Sequence, residues 1–204
     1  MGFMQAPSGG EGNFKVFVKY NAKAGRWYTK KDEKDAPEFE VTNMTAVFDM
    51  ENLRTGWFLF AAGTAPVKQY NPDMMTWSPS PGGDFKKGFE LDLFSEKNLL
   101  GVREFASTAG VVIEAMNELY DAWEAGRGKN PGKLPVVKCA GVQAVVGSHG
   151  TNYKPALEIV SWVDRPAELG AATAKAADPE PEKKAAEHAP PPAAMANADD
   201  DVEF

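Results

Sequence analysis

The chain has 204 residues, 43% of them hydrophobic, enough for one core with appendages and too few for several domains. No apolar run approaches the roughly 18 residues a bilayer-crossing helix needs, and residues 1–12 lack the basic-then-apolar order of a secretion signal, so a soluble, unexported protein with no membrane partner is expected. The lone Cys139 excludes an internal disulfide, and with only His149 and His188 beside it neither a zinc cluster nor any cofactor is expected.

Twenty-two basic residues against 29 acidic ones give a net charge of −7, which taken whole argues against a polyanionic partner. The distribution changes that reading. Ala167 to Phe204 carries nine acids and three bases, leaving the rest nearly neutral. Residues 14–34 hold seven bases (Lys15, Lys19, Lys23, Arg26, Lys30, Lys31 and Lys34) and only Asp32 and Glu33 as acids. The chain therefore has a basic flank and a separate acidic end.

In chain order, residues 14–20 alternate imperfectly, residues 21–25 supply turn formers, and residues 26–29 resume as a strand, so a hairpin is expected. Residues 44–50 and 55–62 are rich in β-formers and read as a second antiparallel pair. Residues 63–84 contain Pro66, Pro72, Pro79 and Pro81 and read as one long loop, a length usually kept for function. Residues 87–94 alternate cleanly and predict a strand. The period then changes: Phe105, Ala109, Val112, Ile113, Met116, Leu119, Tyr120 and Trp123 form a helical stripe, with Gly126 expected as its C-terminal cap. Residues 133–146 and 156–163 complete the strands, joined by a polar loop over 147–155.

After the opening hairpin, five strands with one helix between the third and fourth follow the element order of the OB-fold. The expected fold is mainly β with one principal helix: an OB-fold-like five-stranded barrel over residues 14–166, with an added N-terminal hairpin, a flexible start over 1–13, and a disordered Pro/Ala-rich linker and acidic tip over 167–204.

A single-strand binder needs cations for phosphates and flat rings on which bases stack, each stack worth about 1–3 kcal/mol. The chain interleaves both. The hairpin offers Tyr20, Arg26, Trp27, Tyr28, Lys30 and Lys31; the second pair offers Trp57; the long loop offers Lys68, Tyr70 and Trp77; the last loop offers Tyr153 and Lys154. Trp77 lies among Pro and Ser, where a large ring has little core to join.

The chain ends Asp199-Asp200-Asp201-Val202-Glu203-Phe204. This resembles the acidic tip of the single-stranded DNA-binding proteins of bacteria and tailed phages, in which acids run into a hydrophobic residue and a terminal Phe. Val202 and Glu203 stand where the bacterial tip commonly has Ile and Pro. The resemblance implies that Phe204 docks in a pocket of a replication or recombination protein while Asp199, Asp200 and Asp201 meet basic residues around it. It also implies a bacterial cytoplasm, in the host's own service or a phage's.

Enzyme readings find little support. Residues 126–133 lack the spacing and the strand-to-helix context of a phosphate-binding loop, Ser148 next to His149 does not make a nucleophile and its base, and no acidic metal cluster is evident. The expectation is a non-enzymatic protein that binds and protects single-stranded DNA in replication, recombination or repair, recruits replication proteins through its tip, and is compatible with a homo-oligomer. The alternative is a structural or assembly protein with an acidic interaction arm and an ordinary β core.

Overall fold

The computed structural model describes residues 15–33, 36–61, 63–148 and 150–172. The expected start over 1–13 and the linker and tip from 173 onward lie outside the described residues.

Ten strands form one sheet: β1 (Phe17–Asn21), β2 (Arg26–Lys30), β3 (Glu38–Val41), β4 (Thr45–Phe48), β5 (Arg54–Leu59), β6 (Val67–Tyr70), β7 (Lys86–Ser95), β8 (Gly101–Ser107), β9 (Lys133–Gly147) and β10 (Gly150–Asp164). A short helix α1 (Glu96–Leu99) joins β7 to β8, and the one long helix, α2 (Gly110–Arg127), joins β8 to β9. The sheet runs β10-β9-β4-β7-β8-β1-β2-β3, with β5 pairing β7 and β6 pairing β5 off that path. All pairings are antiparallel except β1 with β8.

The mainly β character with one principal helix is as expected, but the strand count is higher, and the reasons are local. β3 is four residues long and alternates glutamates with Phe39 and Val41, too short a run to register as a period. β6 lies between Pro66 and Pro72, inside the stretch expected to be loop. β8 contains Phe105, whose four-residue spacing from Ala109 imitates a helical turn; the helix begins only at Gly110. Most of the expected loop over 147–155 belongs to β10, which starts at Gly150.

The core forms where α2 lays Val112, Met116, Leu119 and Trp123 on one face of the sheet, against Val18 and Tyr20 of β1, Trp27 of β2, Phe89, Leu91 and Leu93 of β7, and Phe105 of β8. Their spacing of three and four residues puts the helical four on one stripe. β7 is buried on both faces over Gly88 to Leu91, because the β5–β6 ribbon covers the other side. A Cβ on Gly88 would stand 2.3 Å from the Phe58 ring, so only a glycine lets that ring lie against the strand. The sheet is open, but β10 at one end comes back toward β1 and β2 near the other: Tyr153 on β10 donates its N–H to the Ala22 carbonyl at 2.7 Å and accepts from the Tyr20 hydroxyl at 3.0 Å.

The folded body extends past the expected boundary at Pro166. Residues 167–169 form a 3-10 turn whose Leu169 is buried with Val47 and Leu134. Arg165 ties this exit to the β4–β5 connection, donating to the buried Asp49 and, at 3.0 Å, to Glu51. Asp49 is thereby compensated, as a buried carboxylate must be.

Candidate nucleic-acid interface

On β5, alternation sends Arg54, Gly56 and Phe58 to one face and Thr55 and Trp57 to the other. Trp57 sits opposite Lys87 of β7 in the pairing register. The loop after β6 folds back over this point. Asn71 holds it, with its N–H donating to the Thr55 carbonyl and its side-chain amide to Thr55 Oγ1, both at 2.9 Å, while Asn71 Oδ1 accepts the Ser78 N–H at 3.1 Å. The Trp57 indole N–H donates to the Ser78 carbonyl at 2.9 Å. Asp73 accepts the N–H groups of Met75 and Thr76, closing the turn before Trp77.

The loop thus presents Trp77 rather than leaving it loose. Its ring meets Trp57 edge to face, centroids 5.8 Å apart and planes at 78°, a favoured aromatic geometry. Lys87 Nζ lies 4.5 Å from the Trp77 ring centroid and 5.8 Å from that of Trp57, within cation–π range. Trp77 keeps 39% of its surface exposed, and Lys86 and Lys87 are both exposed. Two indoles and a neighbouring ammonium on one open surface offer what an unpaired base and its phosphate need.

On the other face of the ribbon, Lys68 and Tyr70 are committed elsewhere. Glu90, almost fully buried, accepts from Arg54, from Lys68 at 2.6 Å and from the Tyr70 hydroxyl at 2.8 Å; Lys68 also bonds Glu104. The Arg54 guanidinium stacks 4.0 Å from the Tyr70 ring centroid. Burial alone would raise the Glu90 carboxyl; the hydrogen bonds from Lys68 and Tyr70 and the charges of Lys68 and Arg54 outweigh it and hold the group below its ordinary range. Burial and the adjacent Glu90 push the Tyr70 phenol up. This closed network anchors the ribbon and leaves Lys68 no free charge for a phosphate.

The expected basic flank is also changed by its surroundings. Tyr20 and Trp27 are core residues, 8% and 4% exposed, with Trp27 packed between Tyr20 and Phe105; neither offers a ring face to a base. Burial first, then the charge of Cys139, pushes the Tyr20 phenol up to about 12. Arg26 pairs with Glu40 at 2.8 Å and Lys19 with Glu38, so β3 brings acids across from bases that stood alone in sequence. Tyr28 is half-buried beneath Lys19, and Lys30 lies over the Phe17 ring at 5.7 Å. Lys31 is exposed. At the other end, Lys154 bonds Glu118 at 2.7 Å and Glu114 at 3.0 Å on α2, and Tyr153 packs its side chain on Gly25.

Of the twelve expected contact residues, the fold brings Trp57 and Trp77 together and adds Lys87, which sequence reasoning missed; its only signal was the Lys86-Lys87 pair opening a strand after Gly82-Gly83. His149 and the tip residues Asp199, Asp200, Asp201, Val202 and Phe204 lie outside the described residues. Among the described residues no group of three or more His, Cys, Asp or Glu could hold a metal ion, and no helix is long and apolar enough to cross a membrane. No protein-family profile, curated protein or solved structure matches the chain.

Proposed function

We propose that this chain is a non-enzymatic protein that binds single-stranded DNA without sequence preference and recruits replication or recombination proteins through its C-terminal tip. The observation that carries the reading is the partly exposed Trp57–Trp77 pair with Lys87 against it. Stacking and phosphate neutralisation are indifferent to base identity, so such a patch reads any single strand and rejects a duplex whose bases are already stacked. The acidic tip adds the resemblance to bacterial and phage single-strand binders. An OB-like, partly open barrel is the fold reading that goes with it, supported by the helix between β8 and β9, the non-sequential strand order and the return of β10 to the β1–β2 turn.

Titrating intrinsic tryptophan fluorescence with oligo-dT and with duplex of equal length, at two salt concentrations, tests the reading. Quenching by oligo-dT alone is the expected result. Lys87 at the patch sets a slope of log affinity against log salt of about −0.7, from about 0.7 per phosphate on a single strand. Arg26 and Lys154 add to it only where DNA breaks their ion pairs. Absence of quenching at both salts would remove the reading.

The paired state of those bases favours the second reading, a structural or assembly protein with an acidic interaction arm. In that case the tryptophans do not respond to oligonucleotide.

A further inference from the structure

Sheet edges invite other strands, and folded proteins blunt them with charge, proline, bulges or cover. Three edges here are treated that way. β3 carries Glu38 and Glu40 in ion pairs with Lys19 and Arg26. β6 is four residues long, follows Pro66 and contains the ion-paired Lys68. The outer side of β10 bonds Ala22 through Tyr153, and β10 packs against α2 where Trp162 meets Gly126.

The distal half of β9 is different. β4 pairs with β9 only at Val136, Val137 and Lys138, with one more bond from the Cys139 N–H to the Met44 carbonyl. Beyond the bulge at Ala140, Gly141-Val142-Gln143-Ala144-Val145-Val146-Gly147 pairs with β10 on one side and with nothing on the other among the described residues. It has no charge and no proline. Val142 is 47% and Val146 82% exposed.

The direction of its backbone groups follows from β10. Tyr153 turns its N–H to Ala22 and its carbonyl to the Tyr20 hydroxyl, so both point away from β9. In an antiparallel ladder, partners share that orientation and alternate along the strand. Ala144, the partner of Tyr153, therefore points its N–H and C=O to the open side, as do Val142 and Val146, opposite Pro155 and Thr151. Pro155, which has no N–H to give, stands at just such an outward position.

We propose that this edge pairs antiparallel with the same edge of a second copy of the chain, about a two-fold axis at Ala144. That register sets Ala144 opposite Ala144 of the second copy and Val142 opposite Val146 twice, each pair exchanging two bonds, about six in all. A second copy fits because a two-fold pairing opposes each residue to one from the same short stretch, and a charged stretch would repel itself. This stretch is uncharged and places β-branched side chains across from each other. A single short strand pairing of this kind falls at the small, transient end of interfaces, below the roughly 1,200 Å² of a stable one, so the dimer forms reversibly as concentration rises. The inference does not depend on DNA binding.

Sedimentation of the full chain without DNA, from about 2 to about 200 µM, tests it. The weight-average mass is expected to rise from 22.1 kDa toward the dimer value. Ala144→Pro removes the central outward N–H without taking a bond from β10, and Val142→Lys with Val146→Lys sets like charges opposite each other; both should hold the mass at monomer. Near-UV circular dichroism checks folding, and the lysine pair carries the test if the proline variant unfolds. A wild-type mass that stays at monomer throughout, or a rise that survives both variants, overturns the proposal.

Discussion

Trp57 and Trp77 meet edge to face at 5.8 Å although the whole of β6 lies between them in the chain. Asn71 and Ser78 make this possible by tying the loop to β5, and Lys87 completes the group from the neighbouring strand. Trp77→Ala should therefore lower oligo-dT affinity by about 1–3 kcal/mol with a smaller loss of melting temperature than Trp57→Ala, since its ring is partly exposed. Trp57→Ala should lower both, because the half-buried indole also holds Ser78. Parallel fluorescence titrations and thermal melts check the contrast.

Glu90 organises three partners from a buried position. Glu90→Gln should destabilise the protein by about 2 kcal/mol at neutral pH, below the range for fully buried pairs because Arg54 is half exposed. Its carboxyl is held low in the folded state, so its contribution is complete above the unfolded value of about 4.3 and is lost as pH falls through the folded one. The melting difference between wild type and variant should be constant from pH 7 to about 5 and shrink below pH 4.

Gly88 lies under the Phe58 ring and beside the Ser107 carbonyl, where an added Cβ would stand at 2.3 and 2.7 Å. Gly88→Ala should cost about 3 kcal/mol by forcing the β5–β6 ribbon off the sheet. Because that ribbon carries Trp57, the tryptophan emission should shift with it. Denaturant melts followed by emission wavelength read both effects.

The Tyr20 hydroxyl bonds the Tyr153 carbonyl, and its ionisation is pushed up to about 12. A phenol whose folded value is raised contributes stability that is fully present below its unfolded value of about 10 and is lost as pH climbs through the folded one. Tyr20→Phe should cost about 1 kcal/mol at pH 7 and flatten the loss of stability between pH 10 and 12, as calorimetry across that range would record.

Leu100, the C-cap of α1, adopts φ 61°, a left-handed conformation unusual for leucine, and exposes 46% of its surface. Leu100→Gly should relieve that strain and raise stability by about 0.5 kcal/mol after the entropy a glycine adds to the unfolded chain. A higher denaturation midpoint at unchanged slope is the expected record.

The amino-acid sequence by itself determined what depends on near neighbours. The alternation in β7, the stripe Val112, Met116, Leu119 and Trp123, the β1–β2 hairpin and the class of fold were all legible, because strand and helix periods are written in consecutive side chains. So was Trp77 as a ring with no local core. Tertiary structure decided which charges remain available and which rings are exposed. Lys68, Arg26 and Lys154 are basic in sequence and paired in space, with Glu90 and Glu104, with Glu40, and with Glu114 and Glu118 from other elements. Tyr20 and Trp27 became core because α2, far along the chain, covers their face of the sheet. Lys87 became part of the aromatic patch only because β5 and β7 pair in a register that sets it opposite Trp57. Ion pairing and burial are sums over everything that surrounds a side chain, and most of those neighbours are remote in sequence.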